Sequence, residues 1–261
     1  MTMMQNSIKT LIIILVFTLA TSKVTFAQQK QLRGWSEPFF EDNAAEFDAQ
    51  PGSFEFCTSF GSSPSLFGWR NDLCWEVEAM ITKKLGIESG FYTTWLQQPD
   101  KSKQTESTRT AIGLQYTLKN TRSEAWAIGI DLLSPGWAPR GQQQVEGWGI
   151  KPNIIYGHRW LDGFDSQWRI TPTFEISGNN WQFGSTVMGA FFWQNDWLSL
   201  GVEVGGGLEK TSFAFVAPQA GIYLGDFSVW LGWWHPTYFN IEKAAGYLSL
   251  SLCYNWEKSD M

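Results

Sequence analysis

From about residue 53 onward the chain alternates. Apolar and polar residues exchange places position by position in segments of about ten residues, and turn-forming residues separate the segments. At the C-terminal end Leu248, Leu250, Leu252, Tyr254 and Trp256 alternate with Ser249, Ser251, Cys253 and Asn255. Trp126, Ile128, Ile130 and Leu132 alternate in the same way with Ala127, Gly129 and Asp131. Successive side chains of a strand point to opposite faces, so each segment reads as a strand with one apolar face and one small or polar face. Twelve strands are predicted, over 53–60, 73–82, 86–97, 108–118, 125–133, 148–160, 166–177, 181–193, 197–208, 213–224, 227–236 and 245–256. The pattern leaves two weak points: the first strand is short, and the third has an ambiguous face.

The connectors alternate in length. Short turns at 83–85, 119–124, 161–165, 194–196 and 225–226 interleave with longer pieces at 61–72, 98–107, 134–147 and 237–244, and with short ones at 178–180 and 209–212. An even strand number with short turns at one end and longer loops at the other is the layout of a transmembrane barrel whose two termini share one side. In hydrocarbon every backbone polar group must be paired internally, which leaves only helices and closed barrels. Nothing after residue 27 is an apolar run long enough for a spanning helix, which needs roughly 20 residues. The fold class is therefore all-β, a transmembrane antiparallel β-barrel of 12 strands. A soluble sandwich or barrel with its polar face outward is the alternative. It leaves unexplained why Trp126, Trp160, Trp168, Trp181, Trp193 and Trp197 recur near strand ends.

The barrel is preceded by two other segments. Lys9, the apolar run Leu11–Ala20 and the small-residue exit at Ala27 are the three parts of a secretory signal peptide, removed after export. The domain plan is then a signal peptide over 1–27, a periplasmic arm or plug over 28–52, the barrel over 53–256 and a short tail over 257–261. The arm sets Glu37, Glu41, Asp42, Glu46 and Asp48 among Trp35, Phe39, Phe40 and Phe47.

Composition sharpens the picture. The chain holds 16 Trp, 19 Phe and 7 Tyr, more aromatic surface than one soluble core of this size readily fills. Rings with one apolar and one hydrogen-bonding end suit the two membrane interfaces. A net charge of −6 carries no electrostatic footprint for nucleic acid. Three cysteines are too few for a disulfide scaffold. In an oxidising compartment, however, Cys57 and Cys74 would face one another across the first hairpin, and a Cys57–Cys74 disulfide is expected.

The alternating, aromatic-ended last strand resembles the C-terminal assembly signal of the bacterial outer-membrane β-barrel class. The resemblance covers residues 53–256 as a pattern. It implies residence in the outer membrane, contact with outer-membrane lipid, and recognition of Leu248, Leu250, Leu252, Tyr254 and Trp256 by the barrel-assembly machinery. Here Glu257–Met261 follow the aromatic on which many members end. The exit FAQQK looks like that of secreted proteins from Bacteroidota-type bacteria. Channel proteins associated with aromatic-compound degradation are similar in length and layout.

Candidate chemistry is sparse. Ionisable residues on the polar face would line the lumen: Glu76, Glu78, Arg109, Asp131, Lys151, Arg169, Glu175 and Glu203. Placing an Arg or Lys at the lipid midplane costs about 2–4 kcal/mol, which favours the inward orientation. Glu76 and Glu78 either attract cations in a pore or pair with Arg109 or another lumenal base. The only histidines, His158 and His235, share faces with apolar residues and read as belt residues. Outer-membrane phospholipase A, also a twelve-stranded barrel, uses a His with a Ser two residues on. Trp160 and Thr237 stand at those positions here. No catalytic residue, cofactor or metal motif is expected. Loop 134–147 is the longest external candidate for a constriction or ligand contact. The leading function is a passive channel or small-solute transporter, ahead of a closed structural or interaction barrel, with a lipid-processing or proteolytic enzyme disfavoured.

Overall fold

The computed structural model describes residues 50–65, 68–97, 103–136, 147–177, 180–208, 212–239 and 246–256. Its elements are β1 (Phe54–Ser65), β2 (Gly68–Met80), β3 (Leu85–Gln97), β4 (Lys103–Asn120), β5 (Glu124–Leu133), β6 (Trp148–Leu161), β7 (Phe164–Ser177), β8 (Asn180–Gln194), β9 (Leu198–Leu208), β10 (Ser212–Leu224), β11 (Phe227–Phe239) and β12 (Tyr247–Trp256). Every strand pairs antiparallel with its chain neighbours, and β12 pairs with β1 to close a barrel. An even number of up-and-down strands makes the first and last antiparallel, so closure needs no crossover.

All twelve predicted strands are present, but the hairpins run further at the loop end. Much of the expected loop 61–72 is strand, because β1 and β2 stay in register as far as Ser65↔Gly68. Strand β4 likewise starts at Lys103 inside the expected loop 98–107, and β11 runs to Phe239. The added pieces GSSPS (61–65) and KQTES (103–107) are runs of small and polar residues with no apolar alternation to reveal them. Backbone ladders and polar cross-strand pairs hold them, as between Ser62 and Asn71 at 3.0 Å. The opposite end is tightly turned. Asp162-Gly163 and Gly225-Asp226 are two-residue hairpin loops in which Gly163 and Gly225 have φ of 80° and 69°. Such loops need positive φ to match the strand twist.

The two faces are chemically distinct. Phe56, Leu114, Ile128, Ile154, Leu200, Leu231 and Leu250 point outward and are exposed, whereas Gln115, Asn153, Gln167, Glu203 and Ser251 point inward and are buried. A soluble protein shows the reverse. Here the outer surface is solvated by lipid and the polar groups are held inside. Stacked and tilted rings mark the turn end of the belt: Phe54 on Trp256 at 5.4 Å, Trp126 on Tyr156 at 4.5 Å, and Phe227 on Tyr254 at 5.0 Å. The chain enters β1 through a turn, Gln50-Pro51-Gly52-Ser53, with Gly52 at φ 85° and Ser53 N–H donating to Gln50 O at 2.9 Å.

One wall is weakly stitched. The β6–β7 pairing lapses between Ile150↔Phe174 and Ile154↔Ile170 without a change of register. In that gap Pro152 stands opposite Pro172, and neither has an N–H to donate.

Candidate functional site

The lumenal wall is built from every second residue of the twelve strands, and its chemistry changes around the circumference. On β1–β3 it is acidic. Glu55, Glu78 and Glu88 are direct register partners on three adjacent strands. Glu76, one step along β2, stands opposite Cys57 on one side and Gly90 on the other. Its carboxylate accepts a hydrogen bond from the Tyr92 hydroxyl at 2.6 Å. Gly90 makes this possible: a Cβ there would come within 2.5 Å of the Tyr92 hydroxyl oxygen. Nearer the loop end Asp72 accepts from Thr94 and lies 3.8 Å from Arg70.

On β4–β7 the wall carries ion pairs. Arg109 reaches Glu175 at 3.2 Å and donates to the carbonyls of Ser134 and Gly147. Asp131 receives Arg169 at 3.2 Å and the Asn153 amide at 3.3 Å. Arg159 lies 3.7 Å from Asp165, which is 1% exposed. Lys151, the register partner of Asp131, completes this group of inward bases. On β8–β11 the wall mixes apolar and aromatic side chains with the buried polar Gln194, Ser199 and Gln219. Met188, Phe215 and Ala217 form a buried cluster against which Phe213 and Trp234 pack, with the Phe215 and Trp234 rings 5.5 Å apart. Phe192 lies flat where Gly201 has no side chain. Glu203, with no exposure, is set between Ala190 and Ala217.

The structure sets Glu76, Glu78, Arg109, Asp131, Lys151, Arg169, Glu175 and Glu203 on inward positions of this one wall. Arg109, one of the bases expected to answer these acids, pairs with Glu175. Sequence reading missed Glu55, Asp72, Glu88, Arg159 and Asp165. Glu88 follows once β3 is placed, since register with β2 aligns Gly86, Glu88, Gly90 and Tyr92 on one face. The inward aromatics Phe213, Phe215 and Trp234 were hidden because an aromatic in a barrel strand otherwise reads as belt.

The expected Cys57–Cys74 disulfide is not formed. Cys57 is bonded to Cys253 and Cys74 carries no disulfide. The reason is register. On β2 the residue facing Cys57 is Glu76, with Cys74 facing Ser59, whereas on β12 Cys253 directly faces Cys57 with a Cα–Cα distance of 4.1 Å. Barrel closure supplies the partner from the other end of the chain.

Other predicted residues lie on the outside. Leu248, Leu250 and Leu252 are exposed to the lipid side, and Tyr254 and Trp256 pack on Phe54. The His158 Nδ1 is 3.2 Å from the Tyr156 hydroxyl and its ring lies 4.4 Å from Trp160, while His235 sits 5.2 Å from Trp233. Both belong to the outer face. The segment 1–27, nearly all of 28–52, the centre of loop 134–147 and the tail 257–261 lie outside the described residues.

Comparison with known proteins agrees with this geometry at the level of fold. The NanC porin superposes with a TM-score of 0.60 at 7% identity, covering 76% of this chain and 98% of that one. An outer-membrane channel from Pseudomonas putida F1 gives 0.59 at 11% identity over 83% of this chain and 100% of that one. The KdgM porin gives 0.58 at 12% identity over 78% and 99%. The chain shares the closed-barrel fold of these outer-membrane proteins. No protein-family model matches the chain, and no curated protein matches it in sequence. At these identities the likeness concerns the barrel's architecture, and the lumenal side chains are this chain's own.

Proposed function

We propose that the chain is a passive outer-membrane channel for small solutes whose lumen favours cations over anions. The observation that carries the reading is the acidic arc of Glu55, Glu76, Glu78 and Glu88 on adjoining register positions of β1–β3. Of the inward bases Arg109, Lys151, Arg159 and Arg169, the three arginines are each engaged with a carboxylate. A lumen bearing surplus carboxylate between low-dielectric walls concentrates counter-ions of the opposite sign. The KdgM porin has been solved with oligogalacturonate, an anionic saccharide. A ligand of that charge would meet carboxylates along β1–β3 here, so this chain's solutes are cationic or neutral.

The reading is non-enzymatic, since both histidines sit among aromatic side chains on the lipid face. It also makes outer-membrane lipid the contact of the belt and the barrel-assembly machinery the reader of Leu248, Leu250, Leu252, Tyr254 and Trp256. The test is planar-bilayer conductance of the refolded chain in a salt gradient. The expected result is discrete conductance steps with a cation-selective reversal potential, which Glu76→Gln with Glu78→Gln moves toward zero. An anion-selective step would overturn the proposed preference. A second reading has its own support: Asp165, Gln167, Phe192 and Glu203 have 1% exposure or less, which suits a barrel packed shut for a structural or binding role. A folded, heat-modifiable barrel that stays electrically silent would select it.

A further inference from the structure

The Cys57–Cys253 bridge has a third potential donor beside it. Glu55 precedes Cys57 by two residues on the same inward face, and one of its carboxylate oxygens stands 3.0 Å from the Cys57 sulfur. The two sulfurs and a Glu55 oxygen all lie within 4.8 Å of one another. Glu76 faces Cys57 from β2. Two thiolates and a carboxylate are a donor set for a borderline-soft divalent ion. Ligand bond lengths of about 2.3 Å to sulfur and about 2.0 Å to oxygen put the ligands of a tetrahedral ion about 3.5–3.8 Å apart, within the reach of these side chains.

We propose that the seam between β1 and β12 is a redox-controlled metal site: oxidised it is a disulfide, and reduced it binds one zinc-like divalent cation through Cys57, Cys253 and Glu55. The chemistry balances in two steps. A phosphine or dithiol reductant delivers two electrons, the S–S bond breaks, and two protons from water give two thiols while the reductant is oxidised. The cation then displaces those two protons and forms two metal–sulfur bonds, with Glu55 as the oxygen ligand. Either state ties the first strand to the last.

The experiment uses the full folded chain in detergent, reduced with a phosphine, freed of excess reductant and titrated with cadmium ion as a spectroscopic probe. The expected result is an ultraviolet thiolate-to-metal charge-transfer band saturating at one ion per chain. It is absent from the unreduced protein, from Cys57→Ser and from Cys253→Ser, and retained in Cys74→Ser. Since loss of outer-shell groups alone costs about 10–100-fold in affinity, Glu55→Gln should weaken binding by at least about tenfold. In the reduced wild type, zinc should also shield two of three thiols from alkylation, a readout that needs no variant to fold. A saturable band that survives Cys57→Ser, or equal alkylation of all three thiols with and without zinc, would overturn the proposal.

Discussion

At the scale of single residues, the informative positions are polar groups held in the wall. Arg169 and Asp131 face each other at 3.2 Å with side-chain exposures of 11% and 16%. Removing one member of such a pair strands the other charge, which costs about 3–5 kcal/mol when burial is complete. Arg169→Met should therefore destabilise the barrel by about 2–3 kcal/mol, less than the limit because Asn153 still donates to Asp131. Urea unfolding in detergent followed by tryptophan fluorescence measures it, and an unchanged midpoint would show that the pair contributes little. Residues of this kind were legible in sequence wherever a strand had a clear apolar face, as with Asp131 against Ile130 and Leu132. Glu88 was not legible, because Gly86, Gly90 and the alternating Ser89 and Thr93 blur both faces of β3. Only its partners on β2 settle which way it points.

At the scale of elements, alternation located every strand but not every end. A strand announces itself in sequence only where its two sides meet different solvents. Within the bilayer one side meets lipid and the other the lumen, and the pattern is sharp. Toward the loop end Ser62–Ser65 and Lys103–Ser107 continue their backbone ladders as short polar runs without a sequence signature. Proline is the other element-scale signal. Pro152 and Pro172 lie in strands that alternation identifies well, yet their mutual opposition emerges only from the β6–β7 register. Replacing both with valine keeps two apolar outward side chains and restores two amide donors at the lapse. Each recovered hydrogen bond is worth about 0.5–1.5 kcal/mol. Pro152→Val with Pro172→Val should thus stabilise the barrel by about 1–3 kcal/mol, read as a higher temperature for the shift of the folded band on a gel. A lower temperature would mean that the prolines fit a local bend that valine cannot adopt.

At the scale of the whole molecule, the property that sequence could not supply is closure. Strand number, order and hairpin registers follow from local pattern and turns, because each hairpin is a short-range unit. The β1–β12 seam joins residues from the two ends of the barrel, and no local signal fixes its register. The cysteines show the consequence: reasoning confined to the first hairpin pairs Cys57 with Cys74, while the closed barrel pairs it with Cys253 across a sequence separation of 196. A crosslink over so long a loop removes about 5 kcal/mol of unfolded-chain entropy in the loop-closure model, and measured values are usually about 2–4 kcal/mol. The strand-to-strand ladder already joins the ends in the native state, so the crosslink acts chiefly on the unfolded chain and on opening of the seam. Adding a phosphine reductant, with metal excluded by chelator, should lower the unfolding midpoint by the equivalent of about 2–4 kcal/mol. The double variant Cys57→Ser with Cys253→Ser should start at that lowered midpoint and respond no further. Cys74→Ser should behave as wild type throughout. If reduction left the wild-type midpoint unmoved while thiol counting showed the bridge open, the seam would be held by its backbone ladder alone.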